Sequence, residues 1–101
     1  MEQKEYVIVK TFERMSPEEM YVRNLNRITK ADQVRKAVDG LERDEAVLMP
    51  QNVINETSVR VAIMRINNGY KEMYKREGFS DRLRKYSVHR EETGIAIVRT
   101  V

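Results

Sequence analysis

The chain has no cysteine and a single histidine, and no apolar run reaches the roughly 18 residues that would span a membrane. Without cysteine there is no disulfide framework, no thiolate metal site and no thiol nucleophile, which removes several enzyme classes together. His89 has no second histidine or cysteine near it, so it cannot form half of a familiar zinc site and reads as a surface strand residue. Met1-Glu2-Gln3-Lys4-Glu5 lacks the basic-then-apolar order of a signal peptide, so a soluble, cytoplasmic chain is expected. No Gly-x-x-x-x-Gly-Lys loop is present to cradle a phosphate. The adjacent acids Glu18-Glu19, Asp44-Glu45 and Glu91-Glu92 fall in a helix cap or in turns, where dipole and solubility account for them without general acid-base chemistry. The expectation is therefore a non-enzymatic protein with no cofactor and no metal.

What is present suits one domain. With 101 residues and 41% hydrophobic content, the chain can build one modest core over residues 1–101, and no proline-rich linker divides it. The net charge is +3, unevenly placed: residues 1–50 carry 9 Lys/Arg against 10 Asp/Glu, and residues 51–101 carry 10 against 6. The C-terminal half thus holds a surplus of four positive charges, a mild footprint for a polyanionic partner that an ordinary charged surface would also produce.

Glu5–Phe12 is rich in β-branched and aromatic residues and reads as a strand with apolar side chains on both faces. Ser16-Pro17-Glu18-Glu19 has the order of a capping box and predicts a short helix to about Asn26, which with the strand forms an N-terminal unit over residues 1–28. Thr29 caps a second helix with Val34, Val38 and Leu41 inward, Lys30, Arg35 and Lys36 outward, and Gly40 ending it in a left-handed turn. Ala46–Met49, stopped by Pro50, is a short strand.

The stretch from Asn55 to Gly69 has a start, a stripe and a stop. Val59, Ala62, Ile63 and Ile66 share one helical face, while Arg60, Met64, Asn67 and Asn68 fall on another. Tyr70–Gly78 either continues this helix or forms a charged connector. Leu83–Arg90 and Ile95–Val101 read as strands joined by Glu91-Glu92-Thr93-Gly94, a β-hairpin.

Cations crowd the central helix and the hairpin. Arg60, Arg65, Lys71, Arg84, Lys85, Arg90 and Arg99, with Asn67 as an amide able to meet base edges, are the candidate nucleic-acid-binding residues, and Tyr70, Tyr74 and Tyr86 are interleaved with them. Tyrosine and arginine are equally at home in protein interfaces, and Met64 on a polar face points the same way.

Val34–Val38, Ala46–Pro50, Thr57-Ser58-Val59-Arg60, Tyr86–Arg90 and Gly94–Arg99 together resemble small phage and mobile-element proteins with a Ser-Val-Arg helix and a C-terminal hairpin. The resemblance covers about residues 30–101. It implies DNA binding in a host cytoplasm, marks Ser58, Arg60 and Arg99, with Ser58 as a cap and Arg99 as a phosphate contact, and leaves the N-terminal strand and helix without a counterpart. An aromatic often found before the last arginine is Val98 here.

The fold expected is α+β: helices packed on a small, mainly antiparallel sheet, with residues 29–101 in a helix-strand-helix-hairpin order close to a winged helix. Glu91 and Glu92 at the wing tip would face phosphate with the wrong charge. The function expected is nucleic-acid binding, with duplex DNA as the partner. The alternatives are a module that binds and modulates a host protein, or self-assembly into a homo-oligomer through the 5–12 strand.

Overall fold

The computed structural model describes residues 6–13, 30–78 and 83–101, and the helix expected at 17–26 lies outside them. The described elements are β1 (Val7–Thr11), α1 (Lys30–Val38), β2 (Glu45–Pro50), α2 (Glu56–Glu77), β3 (Tyr86–Arg90) and β4 (Gly94–Arg99). They form an α+β arrangement, two helices against a four-stranded sheet of order β1-β2-β4-β3. None of the described helices is long and apolar enough to cross a membrane.

The sheet is mixed. β1 joins β2 in parallel, with an irregularity between Ile8 and Lys10, while β2–β4 and β4–β3 are antiparallel. β4 lies between β2 and β3, and its Gly94 end is paired with Pro50. The hairpin therefore lies in the plane of the sheet and does not project from it as a wing would.

Direct cross-strand partners share a face, so the register sorts the core into two layers. Val47 opposite Ile97 and Met49 opposite Ile95 face the helices, where Val34, Val38, Val59, Ile63 and Ile66 complete the main core. Ala46 opposite Val98 and Leu48 opposite Ala96 face the other side. There Ala46, Ala96 and Val98 are buried under Tyr6 and Ile8. Tyr6 reaches across this face, its ring 5.1 Å from that of His89 and its hydroxyl donating to Glu91 Oε1.

All four residues of the α2 stripe, Val59, Ala62, Ile63 and Ile66, are buried. The cap is Asn55, whose Oδ1 accepts the Ser58 N–H at 2.8 Å, so Ser58 is the capped residue and not the cap. The helix also runs through Gly69 to Glu77. An interior glycine costs only about 1 kcal/mol relative to alanine, and the charged, unbranched residues that follow favour continuation. It ends at Gly78, whose φ of 72° places it in the left-handed region and whose N–H bonds the Tyr74 carbonyl at 2.7 Å. Strand structure begins only at Tyr86, three residues later than the sequence pattern predicts.

Candidate nucleic-acid interface

Four arginines from separate parts of the chain line one groove of about 650 Å³: Arg35 on α1, Arg65 on α2, Arg84 before β3 and Arg99 at the end of β4. Each is carried there by a buried neighbour or a backbone anchor. Arg35 follows Val34, and Arg65 precedes Ile66; both of these apolar residues are in the main core. Arg84 Nη1 donates to the Leu83 carbonyl at 2.9 Å. Arg99 donates from Nη1 to the Leu41 carbonyl at 2.7 Å and from Nε to the Val101 carbonyl at 2.9 Å. The Leu41 acceptor is a neutral carbonyl, so that contact fixes the guanidinium without cancelling its charge. Among the described residues, no ion pair ties Arg35 or Arg65, and both are exposed.

The acids of the groove are Asp39 and Glu42, two against four arginines. Tyr70 and Tyr86 supply its aromatic surface, with Ile66, Met73 and the backbone of Gly69 between the cations. Burial pushes the Tyr86 hydroxyl above its ordinary pKa, and Tyr70 adds to the shift. The charges of Arg99 and Arg84 pull it back, and Asp39 raises it again. The phenol therefore stays protonated at neutral pH, within the field of two of the arginines. Chemically, the groove combines bidentate donors suited to phosphate or carboxylate with a flat aromatic and apolar surface. Among the described residues, no group of three His, Asp or Glu side chains could hold a metal ion.

Of the residues that the sequence marks, the groove brings together Arg65, Arg84 and Arg99. Arg60 and Arg90 lie elsewhere, both on Glu56: Arg90 by a two-pronged contact at 3.0 and 3.1 Å, Arg60 at 3.4 Å. The hydrogen bond from Arg90, more than the nearby charge, holds the Glu56 carboxyl below the usual range. Lys71 and Lys85 are exposed outside the groove lining. Asn67 faces β3 and not solvent, where its amide is bonded to the backbone of Tyr86. Its position four residues after Ile63 and three before Tyr70 continues the inner stripe, a signal present in the sequence.

Arg35 is the groove residue that the sequence pattern assigns outward. Helical spacing places it beside Val34 but cannot say that α1 packs where α2 and β4 bring three further arginines. No family model, no curated protein and no solved structure matches this chain.

Proposed function

We propose that this protein is a small, non-enzymatic nucleic-acid-binding protein and that the arginine groove is its interface. The observation that carries this reading is the convergence of Arg35, Arg65, Arg84 and Arg99, against two acids, around Tyr70 and Tyr86. Phosphate contacts dominate nucleic-acid affinity, and guanidinium groups held by backbone carbonyls meet phosphates with little ordering cost. Lys71, Lys75 and Arg76 further along α2, set against Glu72 and Glu77, leave a small net positive charge beyond the groove. The resemblance to small phage and mobile-element proteins points the same way.

Fluorescence anisotropy with labelled DNA of mixed sequence at low salt tests it. Arg35→Glu with Arg65→Glu is expected to weaken binding by about tenfold or more and to flatten the salt dependence. Wild-type protein that fails to bind, or binding indifferent to both reversals, overturns it.

A second reading, a protein-interaction module, rests on a different surface. Val61 and Met64, nearly one turn apart on α2, are 38% and 54% exposed, and Val7 on the edge strand β1 is 66% exposed. These residues would serve a protein partner or a second copy of the chain. Concentration-dependent mass in solution, abolished by Val7→Lys, would support self-assembly through β1.

A further inference from the structure

Gly69 is a position of α2 at which the described fold does not require glycine. It sits inside the helix, its φ lies outside the left-handed region, and a Cβ built on it meets nothing within 4 Å among the described residues. Neither backbone conformation nor packing among the described residues therefore calls for glycine there. The helix nonetheless carries the cost, about 1 kcal/mol relative to alanine. Gly69 lines the arginine groove beside Tyr70. The remaining physical use of a glycine in such a place is to let a bound group come against the helix backbone.

The groove is concave, and its volume of about 650 Å³ suits a small molecular unit. A duplex would bring phosphates to the arginines, but its stacked bases show only their edges in the grooves and do not offer a flat face to Tyr70. An unstacked nucleotide does: phosphate for the arginines, and a flat base for the space over Gly69 and Tyr70. We infer that the groove takes single-stranded nucleic acid, seating one base against the backbone of Gly69 and the ring of Tyr70, with the neighbouring phosphates on Arg35, Arg65, Arg84 and Arg99. This rests on the nucleic-acid reading above and narrows it from nucleic acid in general to an unpaired strand.

The test compares a labelled oligothymidylate of about twelve nucleotides, the matching oligouridylate, and a blunt duplex of the same length, against wild type, Gly69→Leu and Arg65→Glu. Leucine is a far better helix former than glycine, so Gly69→Leu should melt at a higher temperature than wild type, and unfolding cannot explain a loss of binding. The expected result is at least tenfold tighter binding of one or both single strands than of the duplex. Gly69→Leu should then weaken single-strand binding by about tenfold, the worth of one lost stacking contact, and weaken duplex binding by a smaller factor. Arg65→Glu should weaken binding of both forms. Equal affinity for single strand and duplex, or single-strand binding untouched by Gly69→Leu, overturns the inference while leaving nucleic-acid binding in place. No binding of any probe at low salt overturns both.

Discussion

The side-chain amide of Asn67 forms two hydrogen bonds with the backbone of Tyr86: Nδ2 donates to the carbonyl at 2.9 Å and Oδ1 accepts the N–H at 2.9 Å. β3 is an edge strand, so these are backbone groups that β4 does not reach. The contact ties α2 to the sheet and occupies an edge that would otherwise be open to another strand. It also sets the start of β3, and with it the position of Arg84 and Tyr86 in the groove.

Asn67→Ala should therefore act on stability first. Two net hydrogen bonds at roughly 1 kcal/mol each give a loss of about 2 kcal/mol, or about 10 °C in a domain of this size. Thermal unfolding followed by circular dichroism checks it; a change of under about 2 °C would mean that water replaces the amide without cost.

Gly94 is needed for close approach. A Cβ there would lie 2.3 Å from the Met49 carbonyl oxygen and 3.0 Å from Pro50 Cα, both backbone atoms of the paired strand. Gly94→Ala must push β4 away from β2 and should cost about 3 kcal/mol or leave the chain unfolded. Denaturant unfolding measures this directly, and a variant as stable as wild type would contradict the pairing of Gly94 with Pro50.

The Tyr6 clasp predicts an alkaline transition. Its burial above all, then its hydrogen bond to Glu91 and the charge of that carboxylate, push the Tyr6 pKa up to about 12 from its ordinary value near 10. A group whose pKa is raised on folding stabilises fully below its unfolded value and loses that contribution as pH rises through the folded one. Stability due to Tyr6 should be complete at neutral pH and disappear between pH 10 and about 12. Melting curves against pH for wild type and Tyr6→Phe should converge over that window; parallel curves would contradict the clasp.

Arg60 and Arg90 provide the internal control for the groove. Both are engaged by Glu56 and lie outside the lining. Charge reversal at either should reduce oligonucleotide affinity less than reversal at Arg65 or Arg35, in anisotropy titrations at one fixed salt concentration. Because Glu56 is held below its usual pKa, its pairing is complete above the ordinary glutamate range and fades as pH falls through the lowered value. The control is best run near neutrality.

The local elements were largely readable from residue spacing. The stripe Val59, Ala62, Ile63 and Ile66 is buried as its period implies, Gly40 takes a φ of 78° after α1, and the hairpin closes around Glu91–Gly94. Long-range pairing was not readable. Nothing in Val7–Thr11 says that it joins Glu45–Pro50 in parallel, because a strand pattern records which faces are buried and not which neighbour buries them. The groove has the same origin. Arg35, Arg65, Arg84 and Arg99 are spread over 64 positions, and only the packing of α1 and α2 on β4 and β3 assembles them. Arg60 and Arg90 are near the others in sequence but are engaged by Glu56 in space.

The groove as the seat of binding is tested most directly by mapping backbone amide shifts of ¹⁵N-labelled protein as an oligonucleotide is added. Shifts should concentrate at Arg35–Glu42, Arg65–Met73, Arg84–Tyr86 and Arg99, the segments that line the groove. Shifts confined to the exposed residues Val61 and Met64 or to strand β1, or no shifts at all at low salt, would contradict it.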